Sequence, residues 1–175
     1  IDKEVPRIIL CDYRNKEIDD SLLCAYELKD KLTGIRIDTC GENLAQGALN
    51  DKTELNGIII PSEDEKYWFG NGVTISGVYA VRQALDNSGY ENKEIVLSSG
   101  FADYRKVAAF IRAEKLLGRK LFDKLGVGQV FYSRAAKMDI VAVGKTSETM
   151  IPISKNGRSY RPNSKLEELT IGGRI

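Results

Sequence analysis

The chain has 175 residues, 42% apolar and 29% charged, and its 26 lysines and arginines against 25 aspartates and glutamates give a formal net charge of +1. That length fits one domain, or one domain with an appendage, and the apolar share suffices for a buried core. Mixed, near-neutral charge gives no electrostatic case for nucleic acid or an anionic membrane as partner, and no apolar run approaches the ~20 residues of a membrane span. Nothing resembles a signal peptide. Cys11, Cys24 and Cys40 are three cysteines without CxxC spacing, a sparse odd set that reads as reduced thiols in a cytoplasmic protein. Buried inert thiols are the simpler reading for Cys11 and Cys40, near strand ends, although a reactive one is open. The chain contains no histidine and starts at Ile1, so it reads as a fragment or processed piece, and any histidine-based step must be supplied from elsewhere.

In chain order, residues 7–11 form a continuous apolar run, as in a parallel strand covered on both faces. Ile18, Leu22, Ala25, Leu28 and Leu32 follow at helical spacing. Residues 35–38 read as the next strand. A long irregular segment runs over 40–72 and holds Tyr67-Trp-Phe69, a stacking surface or lid, or more simply a buried prop. Ile75, Val78, Val81 and Leu85 predict a helix over 75–88, with Gly89 at its C′ position. A strand over 94–98 leads through Ser99-Gly-Phe-Ala102 to a helix over 103–117. Asp103 is placed to cap that helix and Gly118 to stop it. A short strand over 124–127 reaches Gly128, and β-like runs over 140–143 and 149–153 precede a basic tail. These elements predict an α/β fold: part of an irregular parallel α/β barrel of about four βα strands over 1–137, then a β-rich extension over 138–175. A closed eight-stranded barrel needs about 250 residues. The open edges should therefore be completed by another segment or chain, a missing N-terminal half or a second copy.

The most informative stretch is Gly34-Ile-Arg-Ile-Asp-Thr39. Strand alternation sends Arg36 and Asp38 one way and Ile35 and Ile37 the other. A charged pair on the inner face of an apolar strand costs several kcal/mol of desolvation unless a partner or ligand compensates it. In barrels and open α/β sheets, such residues at strand C-termini are where chemistry sits. An internal pair that only sets register is the bland alternative. Two glycine-bearing turns follow the later strands: Ser98, Ser99, Gly100 and Phe101, then Gly126 and Gly128. Backbone N–H groups at such turns, with the helix termini beyond, suit a phosphate, and Ser98 and Ser99 add hydroxyl donors.

Taken in order, Arg7-Ile-Ile-Leu-Cys-Asp-Tyr13, Gly34-Ile-Arg-Ile-Asp-Thr39, Gly70-Asn-Gly72, Ile95-Val-Leu-Ser-Ser-Gly-Phe101, Phe122-Asp-Lys-Leu-Gly-Val-Gly128, Met138-Asp-Ile-Val141 and Gly157-Arg-Ser-Tyr-Arg-Pro-Asn163 resemble the C-terminal half of nicotinate phosphoribosyltransferase, over nearly the whole chain. The resemblance implies a type II phosphoribosyltransferase fold, an irregular α/β barrel joined to a β-rich domain. It implies formation of nicotinate mononucleotide from nicotinate and phosphoribosyl pyrophosphate, with Mg²⁺ as cofactor and ATP hydrolysis as the driving reaction. It places Arg36, with Thr39, at the pyridine substrate, and Asp38 as the catalytic carboxylate facing the ribose. Ser98, Ser99, Gly100, Phe101, Gly126, Gly128 and Gln129 fall where the 5′-phosphate is held. Ser99 stands where the family often has a second glycine, and Gln129 where it has serine or threonine, which changes phosphate contacts in detail. The family's phosphorylatable histidine belongs to its N-terminal half. Nicotinamide or quinolinate phosphoribosyltransferase is the nearest alternative. A non-catalytic phosphate-binding or assembly module and an unrelated phosphosugar barrel enzyme are further ones.

Overall fold

The computed structural model describes residues 5–52, 57–128, 140–146, 149–156 and 165. Four parallel strands carry the fold: β1 (Ile8–Leu10), β2 (Gly34–Ile37), β3 (Glu94–Leu97) and β4 (Lys124–Leu125). They are joined through helices α1 (Glu17–Leu28), α2 (Glu65–Trp68), α3 (Ile75–Asn87) and α4 (Tyr104–Leu117). The spatial order β1-β2-β3-β4 is the sequence order. Parallel crossovers are almost always right-handed, so a sheet that advances one strand at a time without reversing puts its helices on one face. That is the winding of a barrel wall, not of a doubly wound sheet.

Burial follows from that winding. Ile9, Ile35, Ile37, Ile95, Leu97 and Leu125 face the helices and form one core with Ala25, Val78, Val81, Leu85, Ala109, Phe110 and Ala113. The opposite face carries Ile8, Leu10, Arg36, Val96 and Lys124 by strand alternation, in the rows Ile8↔Gly34 and Leu10↔Arg36↔Val96↔Lys124. Ile8 is 40% and Leu10 48% exposed. The expectation that residues 7–11 are covered on both faces is therefore corrected. The run is apolar on both sides, but the helices cover one.

Two of the helices are capped by residues at their own N-termini. Thr74 caps α3 by accepting from the Gly77 N–H, and Asp103 caps α4 by accepting from the Arg105 N–H. Gly118 ends α4 in the left-handed region, at φ 60°. Lys16 offers α1 no side-chain cap. Instead Gln46 Oε1 accepts from the N–H groups of Ile18 and Asp19 at 3.0 Å each. The buried Glu17 carboxylate accepts from the Gln46 N–H at 2.8 Å and from the Thr39 hydroxyl at 2.7 Å. The cap thus comes from residues some 28 positions away in sequence, which no local pattern signals.

The irregular 40–72 segment contains α2, absent from the sequence expectation. Tyr67 and Trp68 are buried and Phe69 packs against the core, so the aromatic trio is a prop rather than a lid. Asp64, also buried, forms a two-oxygen pair with Arg112 of α4 and pins the segment down. The β-like runs after residue 140 condense into a two-stranded antiparallel sheet, β5 (Ala142–Val143) with β6 (Ile151–Pro152). The expected boundary at 137/138, Met138, and the tail motif at 157–163 lie outside the described residues. Among the described residues no helix is long and apolar enough to cross a membrane.

Phe110 is fully buried and packs edge-on against Phe101 at 5.2 Å and Phe122 at 6.2 Å between ring centroids. Phe110→Ala should lower unfolding stability by about 3–5 kcal/mol in denaturant titration. A loss below about 1 kcal/mol would show that this core does not hold the sheet and α4 together.

Candidate functional site

The C-terminal ends of β2, β3 and β4 gather the residues singled out above. Arg36 Nε donates to Ser98 Oγ at 3.0 Å, and its Nη2 lies 3.2 Å from Asp38 Oδ2. One guanidinium thus ties the end of β2 to the end of β3, with most of its N–H fork still free of these contacts. The Arg36 side chain is 46% exposed and that of Asp38 27%. The pair is therefore not desolvated as the sequence suggested, because it lies on the face that the helices leave open. A pair so exposed contributes about 0–1 kcal/mol to stability. Its charges remain available to a ligand.

The turn after β3 has an unusual backbone. Ser99 and Gly100 both have positive φ, 73° and 81°. For a non-glycine residue the left-handed region costs about 1–2 kcal/mol. The Ser98 N–H is used by the Ile37 carbonyl, whereas the N–H groups of Ser99, Gly100 and Phe101 meet no backbone acceptor among the described residues. Ser98 itself is buried, and its hydroxyl accepts from Arg36 and donates to the Ile37 carbonyl at 3.5 Å, so it is engaged with the strand ends. The Phe101 ring lies in the core, which leaves only its backbone to a ligand.

The structure gives Gly126 and Thr39 other contacts. The Gly126 N–H donates to the Leu97 carbonyl at 2.7 Å, so it is spent on the sheet. A Cβ there would stand 3.2 Å from Ser98 Cβ. Gly126 therefore lets the two strand ends approach, rather than binding phosphate. Gly128 is exposed with open space around it, while Gln129 lies outside the described residues. Thr39 is buried with its hydroxyl on Glu17, so it supports α1 instead of touching substrate.

Two lysines complete the rim, and the sequence reading named neither. Lys106, one turn into α4, folds back so that its Nζ donates to the Ser99 carbonyl at 3.0 Å and sits 4.5 Å from the Phe101 ring centroid. Burial lowers its pKa to about 8, against the opposing pull of Asp103. Asp103 in turn accepts from the Tyr67 hydroxyl at 2.7 Å, which holds its carboxyl below the usual range. Lys155 follows β6 and binds the buried Asp12 carboxylate and the Asp38 carbonyl, the latter at 3.0 Å. Around it the Tyr13 hydroxyl donates to the Ile153 carbonyl, the Asn156 N–H to the Tyr13 carbonyl and the Cys40 thiol to the Asn156 carbonyl. The segment after β6 is thereby strapped across the ends of β1 and β2. Lys155 is over a hundred residues from its partners in sequence, so nothing local announces it. Cys11 is inert at neutral pH, since burial pushes its thiol up to about 12.

The rim is an open surface. Two clefts lie elsewhere. One of about 470 Å³ between α2 and α4 is lined by Lys66, Tyr67, Tyr104 and Arg112. The other, about 210 Å³ at the opposite end of the strands, is lined by Arg82, Asp86, Glu94, Arg119, Lys120 and Asp123. Its charges are paired with one another, as in Arg82–Asp86 at 2.6 Å and Lys120–Asp123 at 2.6 Å, which marks a stabilising network at the N-terminal rim. The described residues form no cluster of three or more histidine, cysteine or carboxylate groups that could hold a metal by themselves.

No protein-family model and no curated protein matches the chain. Among solved structures it is similar to nicotinate-nucleotide pyrophosphorylase from Pyrococcus furiosus, at 24% identity and a TM-score of 0.50. The match covers 92% of this chain and 32% of that one, so this chain spans about a third of its neighbour's length. The likeness is one of fold, and it agrees with the parallel α/β wall described above.

Lys155→Met should strand the Asp12 carboxylate, whose side chain is 1% exposed and whose Oδ1 has no hydrogen-bond partner among the described residues. The expected loss is about 3–5 kcal/mol at pH 7, with most of it recovered in the Lys155→Met/Asp12→Asn double variant. Additive losses in a double-mutant cycle would show that the two side chains are not coupled.

Proposed function

We propose that this chain is the C-terminal part of a nicotinate phosphoribosyltransferase acting in NAD salvage. It would join nicotinate to phosphoribosyl pyrophosphate, with ATP hydrolysis driving the reaction. The observation that carries the reading is the Arg36 bridge between Asp38 and Ser98, set beside a turn with unclaimed N–H groups. The ordered motifs and the likeness of fold support it. In this reading Arg36 pairs with the carboxylate of nicotinate through its free fork. Asp38 faces the ribose and stabilises positive charge at the anomeric carbon as pyrophosphate leaves. The backbone of Ser99–Phe101, with Gly128 and Gln129 beyond, receives the 5′-phosphate. Mg²⁺ would travel with the pyrophosphate of the substrate. Without a histidine, this chain has no group of that kind to carry a phosphoryl from ATP. ATP coupling would reside in an N-terminal half supplied by another segment or another chain, in a cytoplasmic assembly.

The name of the structural neighbour favours a second reading, a nicotinate-nucleotide pyrophosphorylase, and in that reading this chain's reaction needs no ATP-driven step. Assaying the completed enzyme with nicotinate, phosphoribosyl pyrophosphate and Mg²⁺, with and without ATP, separates the two. We expect no turnover from the isolated chain. Robust product from a monomer would overturn the view that the site is incomplete.

In the completed enzyme, Asp38→Asn should lower kcat more than it raises KM, because the carboxylate acts on charge that appears mainly in the transition state. The expected loss is about 2–4 kcal/mol of barrier. An unchanged kcat with a raised KM would reduce Asp38 to a binding group.

A further inference from the structure

The Ser99–Gly100 turn is built around a lysine. Lys106 Nζ holds the Ser99 carbonyl at 3.0 Å, touches the face of the Phe101 ring, and lies 3.6 Å from the point a Cβ on Gly100 would occupy. The carbonyl it anchors belongs to the residue with the strained backbone, φ 73°. Its charge lies directly behind the donors that face outward. Among the described residues, the other charged group acting on it is Asp103, from the N-cap of its own helix. The turn packed against it presents a carbonyl and an aromatic ring, neither ionisable. Asp103 is already committed to the Tyr67 hydroxyl and the Arg105 N–H, so Lys106 is the cation left to answer an anion arriving at Gly100.

We propose that Lys106 is the counter-charge of this turn, and that a phosphate monoester bound there draws a proton onto the Lys106 amine as it binds. The proposal rests on the phosphate-site reading above and adds the residue and the linkage. Lys106 is partly deprotonated near pH 8 in the free protein, with burial as the main cause. A dianion beside it favours the ammonium form. Affinity should therefore be full below pH 8 and fall above it, by at most about tenfold per pH unit for one linked proton. The same proton fixes the hydrogen bond to the Ser99 carbonyl, so the turn and its ligand are stabilised together.

The test is calorimetric titration of the full chain with ribose 5-phosphate between pH 7 and 9.5, a range in which a monoester with a second pKa of about 6 stays dianionic. Two buffers of different ionisation enthalpy at pH 8.5 read proton uptake directly. Wild type should weaken with pH and take up a fraction of a proton near pH 8.5. Lys106→Arg, charged throughout, should bind with affinity independent of pH and release the buffer dependence. Lys106→Met should bind at least tenfold more weakly at pH 7. Thermal melts establish that each variant is folded, and should Lys106→Met fail to fold, the flat profile of Lys106→Arg still decides. Binding of wild type with the same affinity from pH 7 to 9.5 would overturn the role of Lys106 while leaving the phosphate site intact. No binding at pH 7 would overturn the site itself, and the proposal with it.

Discussion

A parallel sheet whose strand order never reverses has one covered face, and the rest of this structure depends on that constraint. The helices bury Ile35, Ile37, Ile95 and Leu97 on one side. On the other they leave Leu10 and Arg36 in solvent. This explains why Arg36 and Asp38 can sit at a strand end as charged, hydrated groups without the desolvation cost that a closed core would impose. A cavity there requires the remainder of a wall, and the apolar half-exposed residues of β1 are the surface on which further structure would pack.

The rim itself is assembled from opposite directions. Arg36 ties β2 to β3, and Gly126 lets β4 close in on Ser98. Lys106 reaches back from α4 to brace the strained turn, and Lys155 comes from the far end of the described chain to bind Asp12 and the Asp38 carbonyl. Both lysines thus fix backbone carbonyls next to groups assigned to substrate. Strain at Ser99 and positive charge at Lys106 are features that a purely structural turn would have little reason to keep together.

The regular elements were legible because their signals are local. Helix periodicity, the Asp103 cap, the Gly118 stop and the strand at Glu94–Leu97 all appear where the sequence places them, within a residue or so. The pairing of Arg36 with Asp38 was readable from strand parity alone. What the sequence hid were contacts made at long range. Gln46 capping α1, Asp64 pairing with Arg112, and Lys155 bound at Asp12 join residues far apart along the chain, and no spacing rule carries them. The contacts of Thr39, Ser98 and Gly126 were hidden for a related reason. A hydroxyl or glycine at a strand end looks available until the neighbour that already uses it is seen, and here those neighbours are Glu17, Arg36 and the Leu97 carbonyl. Lys106 was missed because a lysine in the first turns of a helix usually lies in solvent.

The central claim is that ligand chemistry belongs to the C-terminal rim and not to the charged cleft at the other end of the strands. Residue-resolved NMR titration of the ¹⁵N-labelled chain with phosphoribosyl pyrophosphate tests it directly. The account predicts that amide shifts concentrate at Arg36, Asp38, Ser99, Gly100 and Phe101. Shifts confined to Arg82, Lys93, Arg119 and Asp123 at the N-terminal rim would contradict it.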